Sequence, residues 1–253
     1  MQKRIILSVC LAMLLLLCAC TATDRNTAQD TELQTTGYEA ETAYLVENSE
    51  QNAICFAYPK LQYSESNAAN DAILDFAQEK IAEICLLTDY NLRETSEKPS
   101  NVSANYQNTY LQIDYRITYC TEDTISVVFE GLYNYKKAAH PMHLLFTLNI
   151  IPQSGDRLAF ADRFIIDDAL YDTFAARAEK SIMENADETW LDGWGTFAAE
   201  ICDKTAFLKG VGSEHNFHVF YTTEGIGISY PVPYSMGDHL EVIIPYSELT
   251  AVS

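Results

Sequence analysis

Positive charge is what this chain has least of. Its 253 residues carry 16 Lys and Arg against 36 Asp and Glu, a formal net charge of −20. A field of that sign repels nucleic acid, teichoic acid and anionic headgroups, and it attracts cationic proteins or metal ions; no nucleic-acid partner is expected. Signatures of catalysis are missing as well. There is no G-x-S-x-G elbow, no S-x-x-K with its companions and no H-E-x-x-H. Cys55, Cys85, Cys120 and Cys202 lack the close spacing of a zinc knuckle or a redox CxxC. Paired carboxylates of the glycosidase kind carry no signal here, because 36 acidic residues make some close pair inevitable. The residues therefore point to no enzyme, no metal and no cofactor.

What is present begins at the N-terminus. Lys3 and Arg4 precede an apolar run over 5–17 that ends in Leu17-Cys18-Ala19-Cys20. A basic segment, a short apolar segment and a small residue before the cut describe an export signal rather than a transmembrane helix. Cleavage before Cys20 is expected, since Ala19 suits the preceding position and bulky Leu17, before Cys18, does not. Residues 1–20 thus read as a lipoprotein signal peptide, with Cys20 as the lipid attachment and the extracytoplasmic face of the cell membrane as the location. Each buried acyl methylene is worth about 0.8 kcal/mol, so two or more chains anchor a protein stably. Removing residues 1–20 takes away two basic residues and no acidic ones, leaving 14 against 36 and a net charge of −22. An exported chain sits where disulfides persist, and four cysteines, Cys55, Cys85, Cys120 and Cys202, allow three pairings.

Residues 21–40 are polar, rich in Thr, Gln and Asp, and without an apolar period, which predicts a flexible tether. Two short apolar runs, 43–46 and 53–58, predict a strand pair. Over about 66–87, Leu74, Ala77, Ile81 and Cys85 recur at helical spacing, widened by Ile73, Phe76 and Ile84. Leu111, Ile113, Tyr115, Ile117 and Tyr119 then alternate with Gln112, Asp114, Arg116 and Thr118, the period of a half-buried strand. Runs over 125–135 and 142–151 extend this to an antiparallel meander. A helix is predicted over about 167–185 with Phe174, Ala175, Ala178 and Ile182 inward, and a second over 189–204 carrying Trp190 and Trp194. Strands close the chain at 217–221, 225–230 and 239–244. Helices grouped between blocks of strands indicate α+β, antiparallel sheets packed with a few helices. The organisation reads as 1–20 signal, 21–40 tether, 41–120 an N-terminal α+β part and 121–253 a C-terminal one.

Several segments together resemble a known family. They are Gly131-Leu132-Tyr133-Asn134-Tyr135 leading to Ala139-His140-Pro141, the Ser154-Gly155 turn, Leu158-Ala159-Phe160-Ala161-Asp162-Arg163-Phe164, the run from Phe217 to Ile226, and Val242-Ile243-Ile244-Pro245-Tyr246-Ser247-Glu248-Leu249. In this order, over about 40–250, they are similar to the RsiV-like extracytoplasmic domain. That domain is shared by lysozyme-sensing anti-sigma factors and by the region ahead of the catalytic domain in peptidoglycan deacetylases of the PdaC type. The resemblance implies an α+β, two-part, non-catalytic module at the surface of a Gram-positive bacterium, with lysozyme or cell-wall material as the ligand. Four residues precede the apolar run and four follow Leu249, so neither sigma-factor control nor deacetylation is expected of this chain. Lys136-Lys137-Ala138-Ala139 stands where the family has glycine before His-Pro.

Histidines are few: His140 and His143, His215 and His218, and His239 beside Asp238. Residues three apart converge only on a helix, and these pairs fall in strands or turns, so shared metal ligation is not expected. His140 before Pro141 reads as a turn residue. Tyrosine is abundant at 16 residues, and it suits both sugar stacking and protein interfaces. Tyr133, Tyr135, His140, Tyr221, Tyr230 and Tyr234 are the candidate ligand-binding residues. The leading expectation is a lipid-anchored, non-catalytic binding domain for cationic lysozyme. A peptidoglycan-fragment binding module and a metal-assisted or carboxylate-based wall hydrolase, whose activity would be lost on mutating His140 or His218, are the alternatives.

Overall fold

The alternating run from Leu111 becomes the middle of a six-stranded sheet. The computed structural model describes residues 39–62, 67–85, 91–99, 107–185, 203–211, 217–232 and 238–252. Within them, β1 (Glu39–Asn48) and β2 (Asn52–Gln62) form a hairpin, and β3 (Arg93–Thr95) adds to the outer side of β1. β4 (Thr109–Cys120), β5 (Ile125–Tyr135) and β6 (Met142–Ile150) are the expected antiparallel meander. The sheet order is β3-β1-β2-β4-β5-β6, with β2 and β4 parallel. The division read at 120/121 falls between β4 and β5, which are neighbours in this one sheet. The strand pair is longer than its apolar runs suggest, and β1 starts at Glu39, inside the segment read as tether.

Helix α1 (Ala68–Cys85) covers one face of the sheet. Its buried side is Ala69, Ile73, Phe76, Ala77, Ile81 and Cys85, turned slightly from the predicted stripe so that Leu74 and Ile84 are only half-buried. Phe76 stacks against Phe129 of β5 at 5.3 Å and Phe56 of β2 meets the same ring at 5.4 Å. Burying such side chains contributes roughly 1.5–3 kcal/mol each relative to exposure.

A second, three-stranded antiparallel sheet, β7 (His218–Tyr221), β8 (Gly225–Pro231) and β9 (His239–Pro245), carries its own core. Ile226, Ile228 and Tyr230 on β8 and Val242 and Ile244 on β9 pack with α2 (Asp168–Asn185) and α3 (Lys204–Gly210). Phe174 of α2 stacks on Phe207 of α3 at 4.4 Å, and Phe217 meets the Phe207 ring edge-on at 5.1 Å. Asp203 caps α3, its Oδ1 accepting from Ala206 N–H at 2.7 Å. The α+β class is therefore confirmed, with one parallel joint among antiparallel pairs.

The other face of the second sheet sits on the polar face of the meander, and a polar clamp joins them. Ser126 Oγ donates to Asn149 Oδ1 at 2.7 Å and accepts from Tyr221 N–H at 3.0 Å and from Thr118 Oγ1 at 3.1 Å. Asn149 Nδ2 donates to the Val219 carbonyl at 2.8 Å. Edge strand β7 thus has its outward backbone groups bonded by side chains of the first sheet, both of them buried (Ser126 0% exposed, Asn149 6%). Removing one partner strands a buried polar group, at a cost of about 1–3 kcal/mol. Asn149→Ala and Ser126→Ala are each expected to lower the urea-unfolding free energy by that amount. The double variant should lose less than the sum, a coupling that a double-mutant cycle reads directly.

Candidate functional site

The polar side of the meander lines a cleft. β4 contributes Gln112 and Asp114, β5 Glu130 and Leu132, and β6 His143 and Leu145, while β9 brings His239 and Glu241 from the second sheet; the space between them is about 360 Å³. Register places these groups: Asp114 lies opposite Glu130 and Gln112 opposite Leu132, which in turn faces His143. Like charges directly opposite are unfavourable. Arg116 offsets this, its guanidinium pairing with Glu241 and standing 3.9 Å from Glu130 Oε1. The same guanidinium lies 4.9 Å over the Phe220 ring. Phe220 in turn rests on Gly227, where a Cβ would come within 2.1 Å of the ring, so only glycine seats it. Asp114 and Glu130 side chains are 58% and 52% exposed, open to a cation from outside.

His239 lines the cleft and His218 stands behind it, and burial holds both below the ordinary histidine value. His143 N–H donates to Asp238 Oδ2 at 2.9 Å, and Asp238 adopts a left-handed backbone (φ 68°) that aspartate tolerates. The His239 ring is hydrogen-bonded to the His143 backbone, and burial holds its pKa below the ordinary value. Its Nδ1 is buried without a partner among the described residues. His218 stands 6.1 Å from the His239 ring and edge-on to Phe146 at 6.0 Å. Burial, then His239 and Lys80, push His218 down to about 4. The carboxylates of the cleft are Asp114, Glu130 and Glu241, and Arg116 is the cation set among them.

The candidate residues separate into three groups. Tyr133, Tyr135 and His140 come together at the tip of the β5–β6 hairpin. Tyr133 and Tyr135 have ring centroids 6.1 Å apart, Tyr135 and Met142 are 48% and 41% exposed, and Met142 lies opposite Tyr133. Exposed His140 places its Nδ1 3.0 Å from the Pro141 carbonyl, the turn role read from sequence. Tyr221 and Tyr230 are instead in the core of the second sheet, 4% and 0% exposed, with Tyr230 edge-on to Phe174 at 5.2 Å. Both belong to packing rather than to a surface. Tyr234, Cys20, Cys202, Trp190, Trp194 and His215 lie outside the described residues.

Cys55, Cys85 and Cys120 are buried free thiols, unbonded to one another. Burial pushes them up to about 11, 12 and 11, so they are protonated and unreactive at neutral pH. Among the described residues no disulfide links these three, and Cys202, the fourth candidate, lies outside them. His218, named for the hydrolase alternative, is half-buried at the start of β7, whereas His140 is on the exposed tip. Sequence reasoning missed the cleft. Asp114 and Glu130 were visible only as members of a large acidic population, and no local signal sets Glu241 beside them.

No family model matches this sequence and no curated protein does. Among solved structures, a member of the DUF3298 family from Bacteroides fragilis aligns with a TM-score of 0.49 at 17% identity, over 85% of this chain and 93% of that one. A DUF3298 family protein from Pseudomonas aeruginosa aligns with a TM-score of 0.47 at 15% identity, over 83% and 91% respectively.

The tip turn is strained. Ala138 N–H donates to the Tyr135 carbonyl at 2.9 Å, and Lys137, third residue of the turn, has φ 102°. That position of such a turn favours glycine, and a non-glycine residue there costs on the order of 1–3 kcal/mol. Lys137→Gly is expected to raise the unfolding free energy by about 1 kcal/mol, read by urea titration. A second expectation concerns acid. His218 binds its proton less readily folded than unfolded, so its neutral form favours the fold above pH 6.5, and that contribution is lost as pH falls from about 6.5 toward about 4. A shift of this size corresponds to about 3 kcal/mol. His218→Phe, which keeps a ring against Phe146, should flatten the decline in stability between pH 7 and 4.

Proposed function

We propose that this chain is a lipid-anchored, non-catalytic domain on the extracytoplasmic face of the cell membrane that binds a cationic protein, with lysozyme the partner to which the sequence resemblance points. The observation that supports it most is the acidic cleft. Three carboxylates, Asp114, Glu130 and Glu241, stand together around a space of about 360 Å³, at the junction of two sheets. Arg116 already fills part of that demand with a guanidinium held by Glu241 and the Phe220 face. A partner's lysine or arginine meets the same chemistry at Asp114 and Glu130, whose exposed oxygens accept charge-assisted hydrogen bonds. The wider charge of −20 steers a basic protein toward it and makes association salt-dependent.

Anchoring rests on the basic, apolar and small-residue pattern ending at Cys20. A binding role fits buried, protonated cysteines and a neutral His218, a chemistry suited to recognition rather than to nucleophilic attack.

The test is calorimetric titration of the chain with c-type lysozyme at about 0.05 and 0.5 M salt, where the Debye length shrinks from roughly 14 to roughly 4 Å. Affinity should fall by an order of magnitude or more with salt. At low salt, the Asp114→Asn, Glu241→Gln double variant should bind about tenfold more weakly than the parent. Absence of heat at either salt removes lysozyme as the partner.

A further inference from the structure

We propose that the tip of the β5–β6 hairpin is a second binding site, for an anionic glycan of the cell wall: Tyr133 and Tyr135 offer their faces to sugar rings, and Lys136 and Lys137 pair with carboxylate or phosphate. It rests on the surface location proposed above and not on lysozyme binding. The tip is chemically the reverse of the cleft, a local basic exception to the acidic field that repels anions from the rest of the surface. In a chain with 16 basic residues among 253, two stand side by side here, both exposed and neither in an ion pair with a described residue. They adjoin an apolar patch of the right kind for a sugar, since Tyr133, Tyr135 and Met142 share one face of the hairpin by register. Tyrosine supplies a rigid stacking face with a hydroxyl at its edge.

The strained turn supplies an independent indication. Its third position favours glycine, yet Lys137 holds φ 102° there. Local strain that a single substitution would relieve is found where the side chain is needed for binding or catalysis. Placement favours the wall over the membrane. Lys136 N–H bonds the Asn108 carbonyl and Asn108 N–H bonds the Gln51 carbonyl, which puts the tip beside the β1–β2 turn. Glu39, the first described residue, is at the opposite end of the ten-residue strand β1, roughly 30 Å away at the usual rise per residue.

The experiment is cosedimentation of the full-length lipidated chain, in detergent micelles, with two probes. These are purified sacculi retaining teichoic acid and sacculi stripped of it. The chain should sediment with sacculi and stay in the supernatant without them. Binding to stripped sacculi assigns peptidoglycan carboxylates as the anion, and binding only to unstripped sacculi assigns teichoic phosphate. Lys137→Gly should bind about tenfold more weakly although its unfolding midpoint is unchanged or raised, which separates lost contact from lost fold. Tyr135→Ala should show a similar loss, and Lys137→Arg should retain binding. The Asp114→Asn, Glu241→Gln variant should bind sacculi as the parent does, so failure of lysozyme binding leaves this result intact. Parental binding by both Lys137→Gly and Tyr135→Ala, or failure to sediment with either kind of sacculus, overturns the proposal.

Discussion

A single hydroxyl group, that of Ser126, is what the arrangement of the two sheets depends on. It has one hydrogen to give and two lone pairs to fill, and all three are used: it donates to Asn149 and accepts from Thr118 and from the backbone of Tyr221. Exposed strand edges invite pairing with other chains, and proteins manage them by covering or bonding the edge groups. Here the edge of β7 is bonded by side chains rather than by another strand. Apolar packing alone, through Val128, Leu145 and Phe220, would let the second sheet slide over the first. Directional bonds to Val219 and Tyr221 set one register, and with it the position of β9. The cleft follows from that position, because Glu241 and His239 form its far wall.

Electrostatics in the cleft work against the fold and in favour of recognition. Asp114 and Glu130 face one another across adjacent strands, an arrangement that costs stability. Arg116 relieves part of the repulsion, at Glu130 and Glu241, and its place is fixed by a ring seated on a glycine. Lys98, 3.9 Å from Asp114, relieves a little more from an exposed position, where such pairs are worth less than about 1 kcal/mol. A cation arriving from outside would complete the neutralisation. Burial of His239 in the cleft wall has the same sense, since it disfavours a second cation that would compete for the carboxylates.

Much of the fold was legible because it is local. The alternation from Leu111 to Tyr119, the helical spacing across Ile73, Ala77 and Ile81 and the turn at Ser154-Gly155 each report on neighbours within a few residues. The β2–β4 joint was not legible, since nothing in Asn52–Phe56 distinguishes a parallel partner from an antiparallel one. Nor was the fate of the polar face of β4. Gln112, Asp114 and Arg116 read as solvent-facing, and only the docking of a distant sheet turns them into a cleft wall. Tyrosine was ambiguous for a related reason: Tyr133 and Tyr221 have the same chemistry, and which face of its strand each occupies decides whether it reaches a ligand or the core. The hairpin tip could be found from sequence because Tyr133, Tyr135 and His140 are close along the chain. The carboxylates of the cleft could not, because Glu241 is more than a hundred residues from Glu130.

The parallel joint between β2 and β4 has a kinetic meaning. The β1–β2 hairpin and the β4–β6 meander each close through short turns, whereas pairing from Asn52 to Phe56 with Thr109 to Ile113 waits for the whole segment 63–108, α1 and β3 included. Closing a long loop delays non-local pairing during folding. The two halves of the sheet are thus ready before the line that unites them. In the finished protein the rings of Phe56 and Phe76 meet Phe129 across this same joint, so the line closed last is the one over which the aromatic core is laid.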